Sequence, residues 1–185
     1  MIKEKIVLMV GLDYFRKKRI NFSFLGYSLI SSTSLPFSLY FDLKRQDLSL
    51  IVQHSLDREL IPSYQFDILA YDGGNQTGIL HVFVQINDIN DSPPKFEQLI
   101  YKINNISESI SIDSIISRVH ATDADEGVNG EINYFLINPN VCFQIDQFTG
   151  DIHVKCLLDY DTEPIHRLEI EARDSGEGSK TDFCT

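Results

Sequence analysis

The sequence predicts an all-β protein made of two copies of one unit of about 100 residues. Three observations carry this prediction. Apolar residues recur with period two, turn signals separate the runs, and landmarks of the first half return in order in the second.

The strands follow from alternation. Tyr64, Phe66, Ile68 and Ala70 alternate with Gln65, Asp67 and Leu69. Leu80, Val82, Val84 and Ile86 alternate with His81, Phe83 and Gln85, and later Leu168, Ile170 and Ala172 alternate with Glu169, Glu171 and Arg173. Such runs turn one face to a core and the other to water, as in antiparallel sheets. Between them lie Asp72-Gly-Gly-Asn75, Asn90-Asp-Ser-Pro-Pro94, Asn129-Gly130, Thr149-Gly150 and Asp174-Ser-Gly176, all turn formers. Beyond residues 1–20 no long segment keeps a helical period with caps.

The repeat is explicit. Leu56-Asp-Arg-Glu59 returns as Leu158-Asp-Tyr-Asp161, and Ala70-Tyr-Asp72 as Ala172-Arg-Asp174, each 102 positions on. Tyr27-Ser-Leu29 returns as Tyr134-Phe-Leu136, and Phe41-Asp42 as Ile145-Asp146. The size suits a sandwich of short strands. The expected division is an atypical segment 1–20, a first copy 21–94 and a second copy 95–185. Both copies read as incomplete: the first lacks what should precede Tyr27, and the second is expected to stop before any counterpart of Leu80–Ile86.

Charge narrows the function classes. The chain has 185 residues, with 27 acids against 16 bases and a net charge of −11. That surplus argues against nucleic acid or anionic lipid bound through a basic face. The 43% hydrophobic content is enough for a core. Ile6–Val10 is shorter than a signal-peptide core, and no stretch approaches the roughly 20 apolar residues of a membrane span. The five histidines are scattered and no Ser or Cys sits in a nucleophile elbow, so the chain does not read as an enzyme.

The acids gather where the copies join. Asp88-Ile-Asn-Asp-Ser-Pro-Pro94 follows a strand, and Asp123-Ala-Asp-Glu-Gly-Val-Asn-Gly130 follows an apolar stretch. To these are added Asp57, Glu59 and Asp174. A single Asp-x-Asp in a loop is usually a solvated turn. Several of them at a repeat boundary place many oxygens about one point, which suits Ca²⁺ with its six to eight oxygen ligands. No EF-hand spacing is present, and no Cys/His cluster favours zinc or copper.

These residues resemble a family. Leu56-Asp-Arg-Glu59, Ala70-x-Asp72-x-Gly74, Asp88-x-Asn-Asp91 before Pro94-Lys-Phe96, and Asp123–Gly130 resemble the extracellular repeats of cadherins, and the wording is nearest to protocadherins. The resemblance covers residues 21–185. It implies tandem Greek-key β-sandwiches with three Ca²⁺ ions at each junction, serving cell–cell adhesion. It also implies ligand roles: Asp57 and Glu59 from the first repeat, and the side chains of Asp88, Asn90 and Asp91 from the linker. The carbonyls of Ile89 and Ser92 would assist. Asp123, Asp125 and Asp174, with the carbonyl of Asn129, would come from the second repeat. Glu108, Asp159 and Asp161 would serve a following junction. The first copy has no matching initial glutamate, so the ion set by Asn90, Asp123, Asp125 and Asp174 is the most complete.

The implied partners are like molecules on the same or an opposing cell. The implied location is the extracellular side of the plasma membrane, reached through regions absent from this chain. A secreted calcium-binding module with the same fold, or a fragment with no function of its own, is the competing reading. Asn21-Phe-Ser23, Asn75-Gln-Thr77, Asn90-Asp-Ser92 and Asn105-Ile-Ser107 are glycosylation sequons, of which Asn90 is expected bare because a glycan would displace calcium. Cys142 and Cys156 flank an expected hairpin around Asp146–Asp151, where both a disulfide and two half-buried thiols fit.

Overall fold

Alternation decides which side of each strand meets a core, and the strands sort accordingly. The computed structural model describes residues 5–7, 26–42, 44, 47–74, 76–138 and 142–185. It divides the chain into two units, Met1–Asn87 and Asp88–Thr185.

The first unit holds β1 (Lys5–Val7), β2 (Gly26–Ile30), β3 (Phe37–Asp42), β4 (Asp47–Val52), β5 (Ser63–Tyr71) and β6 (Thr77–Gln85). They form two antiparallel sheets, ordered β1-β4-β3 and β2-β5-β6. On β5 the expected period is visible: Phe66, Ile68 and Ala70 are buried while Gln65 is exposed. Ile68 lies opposite Leu29 on one side and Leu80 on the other. Phe37, Leu48 and Leu50 come from one sheet and Phe66, Ile68 and Ala70 from the other, so the core is the space between two sheets. The Phe37 ring joins the layers, 5.1 Å from Tyr64 in an edge-on contact and 5.7 Å from Phe66. Full burial of a side chain such as Leu50 or Ile68 contributes about 1.5–3 kcal/mol.

Within the N-terminal stretch read as atypical, Lys5–Val7 is a strand, with Lys5 opposite Ile51 and Val7 opposite Ser49. The rest of residues 1–20 lies outside the described residues.

The second unit holds β7 (Lys95–Phe96), β8 (Ile115–Arg118), β9 (Ala121–Thr122), β10 (Ile132–Leu136), β11 (Phe143–Ile145), β12 (Asp151–Val154), β13 (Ile170–Asp174) and β14 (Thr181–Cys184). Its sheets are β7-β9, β10-β13-β14 and β11-β12-β8. Their inner faces meet at Phe96, Val119, Tyr134, Phe143, Ile152, Val154, Ile170 and Ala172. Tyr134 sits in this core with its hydroxyl accepting the Ala121 N–H at 2.9 Å, which satisfies two buried polar groups at once. Among the described residues the one helical element besides the strands is a single 3₁₀ turn, Gly127–Asn129. No helix there is long and apolar enough to cross a membrane.

The β11–β12 hairpin turns where the sequence places it. Asp146 accepts the N–H groups of Phe148 and Thr149 at 2.9 and 2.8 Å. Gly150 has φ 73°, and a side chain there would put its Cβ 2.4 Å from the Val119 carbonyl oxygen. Asp151 is clamped by two Arg118 nitrogens at 2.6 and 2.9 Å. The Arg118 hydrogen bonds, helped by the Thr149 hydroxyl, hold its carboxyl down at about 2. Phe143 lies opposite Val154, and the flanking Cys142 and Cys156 are bonded as a disulfide with Cα atoms 4.5 Å apart. The free thiol of Cys184 is buried, and burial pushes it up to about 11.

One expectation is corrected. The second copy does contain the start of the strand it was expected to lack. β14 pairs with β13 as β6 pairs with β5, and Cys184 stands opposite Ile170 as Leu80 stands opposite Ile68. Two physical causes hid it. The connection Ser175–Lys180 is two residues longer than Gly73–Gln76, so a constant offset steps past the strand. Thr181 and Asp182 also break the apolar alternation, because Asp182 turns to accept the Phe96 N–H at 2.9 Å.

Candidate metal centre

Three loops of the second unit supply polar groups to one another. The first is the segment 88–94 that leads into β7. Asp91 N–H donates to the Ile89 carbonyl at 2.8 Å, and Pro94 is buried where the segment enters the core. Pro93 and Pro94 have no N–H to extend a ladder, so the segment stays outside the sheets. The second loop is Asp123–Gly130 after β9, tightened by the 3₁₀ turn. The third, Asp174–Lys180, joins β13 to β14.

Hydrogen bonds tie the first loop to the other two. Asp88 Oδ2 accepts the Glu126 N–H at 3.1 Å and the Asn129 amide at 2.9 Å. Ser92 N–H donates to the Asp125 carboxylate, at 3.1 Å from its nearer oxygen. Asn90 donates from Nδ2 to Asp174 Oδ1 at 2.8 Å and to the Glu177 carbonyl at 3.4 Å. Asp123 Oδ1 accepts the Asp125 N–H at 2.9 Å. Asp174, only 2% exposed, accepts the N–H groups of Gly176 and Lys180 at 2.9 and 2.7 Å.

Two oxygens in this cluster are left over. Asn90 Oδ1 and Asp123 Oδ2 are buried without a hydrogen-bond partner among the described residues. A buried acceptor without a donor is costly, and both here belong to a set of carboxylate and amide oxygens. An oxygen of Asp88 and one of Asp125 also come within 4.8 Å of each other. Burial holds the Asp123 carboxyl above its usual range, and the charges of Asp125 and Asp174 push the same way against the Asp125 N–H. A hard cation answers all three conditions, since it takes oxygen ligands and cancels like charge. The donor set fits Ca²⁺.

The structure thus brings Asp88, Asn90, Ser92, Asp123, Asp125, Asn129 and Asp174 together where the three loops meet, the 88–94 segment bonded to each of the other two. Ile89 and Asp91 stay exposed beside it. Asn129 joins through its side-chain amide, where a carbonyl role was expected. In the first unit, Asp57 Oδ1 caps a turn by accepting the Leu60 N–H at 2.9 Å, and Glu59 is paired with Arg58.

Gly176 is a member of the site that residue chemistry alone did not name. A Cβ there would lie 2.3 Å from Asn90 Nδ2 and 2.5 Å from Asn129 Oδ1. The signal was present in Asp174-Ser-Gly176, which reads as a turn. What that reading lacks is that two other loops pack against the bare backbone.

A pair of β-sandwich units in tandem, with a carboxylate and amide network at the start of the second, defines a class of extracellular repeat protein. The cadherin domain family profile matches residues 103–185. Human protocadherin alpha-11 is 38% identical over 144 residues, 75% of this chain and 15% of that protein. The structure of mouse clustered PcdhgC3 EC1-3 superposes with a TM-score of 0.75 at 28% identity, covering 85% of this chain and 53% of that one. The protocadherin gammaB7 EC3-6 cis-dimer structure gives 0.77 at 25% identity, over 87% of this chain and 39% of that one. The chain belongs to the cadherin superfamily and is protocadherin-like. It spans 15% of the length of the human relative, and the family is one of structural adhesion proteins, not enzymes.

Proposed function

We propose that this chain forms part of a calcium-stiffened extracellular rod that mediates homophilic adhesion at the plasma membrane. The observation that carries the reading is the pair of buried, unpartnered oxygens on Asn90 and Asp123 inside a network of carboxylates. In this reading Asp88, Asn90, Asp91, Asp123, Asp125 and Asp174 bind Ca²⁺ through their side chains. The carbonyls of Ile89, Ser92 and Asn129 add neutral oxygens, and Asp57 and Glu59 come from the first repeat. Bound Ca²⁺ supplies positive charge that offsets the carboxylates and holds successive repeats at a set angle.

Like molecules are the proposed partners. Support comes from the protocadherin relatives and from the gammaB7 structure, which is described as a cis-dimer. The surplus of acids fits the same reading, because much of the net charge of −11 is concentrated at one metal site.

Calorimetric titration with Ca²⁺ and small-angle scattering with and without it test the first half. Heat of binding and a narrower distribution of lengths are expected. No binding heat together with identical profiles would sink it. Aggregation of beads coated with the chain, in Ca²⁺ and in chelator, tests the second half, with clumping expected in Ca²⁺ alone.

A further inference from the structure

We infer that Asn105 carries an N-linked glycan in this protein, and that Asn90, which also stands in a sequon, stays bare. Both asparagines satisfy Asn-x-Ser, but Pro93 directly after Ser92 disfavours transfer to Asn90, whereas Glu108 follows Ser107. Their surroundings separate them further.

Asn105 lies in the strand-free segment between β7 and β8, exposed to solvent, with φ 61°. Asparagine is among the few residues that accept this left-handed conformation, so the position suits it without a structural partner. Its amide makes no hydrogen bond among the described residues. Ser107, which completes the sequon, is also exposed and bonds only to the neighbouring Ser109 through its hydroxyl. Asn105 borders an open groove of about 860 Å³ with Ile103, Tyr160 and Ile165 along it, which leaves room for the first sugars. Tyr160 and Ile165 are 70% and 81% exposed, an apolar rim that a glycan would shield from water.

Asn90 is the opposite case. Its Nδ2, the atom that would carry the sugar, is committed to Asp174 and to the Glu177 carbonyl. Gly176 approaches so closely that not even a Cβ fits beside that nitrogen. A sugar on Nδ2 is incompatible with the folded loop cluster. Asn21 and Asn75 lie outside the described residues.

The compartment is consistent with the modification. The family's repeats are extracellular, and the Cys142–Cys156 disulfide belongs to an oxidising environment. In the transfer, Asn105 Nδ2 forms a bond to C1 of an oligosaccharide carried on a polyisoprenyl pyrophosphate. The C1–O bond to the pyrophosphate breaks, the lipid pyrophosphate leaves with the electron pair, and Nδ2 gives up one proton.

The test is to express the chain behind an added signal peptide in mammalian cells. Cell membranes and medium are both collected and treated with peptide N-glycosidase in ¹⁸O-water, which tags each formerly glycosylated Asn as labelled Asp. Label at Asn105 and none at Asn90 is expected. Asn105→Asp tolerates the same backbone conformation and should lose one glycan step on a gel. Ser107→Ala should lose the same step, and Ser107→Thr should keep it. Unlabelled Asn105 in both fractions, or labelled Asn90 in the secreted protein, would overturn the inference.

Discussion

Replacing Gly176 with alanine adds one methyl group, and its consequence is readable from the distances. The new Cβ would sit 2.3 Å from Asn90 Nδ2, 2.9 Å from Asn90 Cγ and 2.5 Å from Asn129 Oδ1. Neither side chain is free to swing away at no cost. Asn90 is held by its 2.8 Å bond to Asp174, and Asn129 by its 2.9 Å bond to Asp88. Relief of the clash breaks at least one hydrogen bond to a carboxylate, about 1.5–3 kcal/mol. It also moves Asn90 Oδ1 out of the donor set, and changes of this kind beside a metal typically cost about 10–100-fold in affinity. Gly74 provides an internal control, since it occupies the equivalent place in the first repeat. There a Cβ comes no closer than 3.3 Å, to the Asp72 carboxylate oxygen. Gly74→Ala should change stability by less than about 0.5 kcal/mol and leave Ca²⁺ affinity unaltered. Calorimetric titration and urea denaturation of the two variants measure both quantities. If Gly176→Ala binds Ca²⁺ as tightly as the parent, the close packing of the three loops is not what organises the site.

Other expectations concern the framework. The Cys142–Cys156 bridge spans a sequence separation of 14, so replacing both cysteines by serine should lower unfolding stability by about 3 kcal/mol, read from urea curves. Tyr134→Phe leaves the buried Ala121 N–H without an acceptor and should cost about 1–3 kcal/mol by the same measurement. Asp151 gives a pH signature. Its carboxyl is held at about 2, below its value of about 3.9 in an unfolded chain. The Arg118 clamp therefore contributes in full above about pH 4, and that contribution is lost as pH falls from there through about 2. Thermal melts between pH 2 and 6 should show this limb in the parent and a flatter one in Asp151→Asn.

Much of the fold was open to reading from residues in order. The alternation at Tyr64–Ala70 and Leu80–Ile86 holds because period two is a local property of an extended chain: β5 buries Phe66, Ile68 and Ala70, and β6 half-buries Leu80, Val82 and Val84 while His81, Phe83 and Gln85 are exposed. The hairpin at Asp146–Gly150 was legible for a similar reason, since Asp146 and Gly150 act on their own turn. β14 was not, because a loop two residues longer moved it off the repeat offset and Asp182 serves a hydrogen bond to a distant strand end. Lys5–Val7 was missed as well. Its strand depends on a partner, β4, more than forty positions later.

The same division runs through the site. Which residue types gather at the repeat boundary, and that oxygen-rich loops suit Ca²⁺, follow from composition and spacing. The network itself depends on contacts between segments far apart in the chain, Asn90 with Asp174 and Asp88 with Asn129. So does the bonding of Cys142 to Cys156, which strand register decides. Gly176 is the plainest instance, because its importance lies in atoms it lacks and in neighbours that no local pattern names. Sequence determined what chemistry was present; tertiary packing decided which atoms were left buried without partners, because only closure of the three loops takes water away from them.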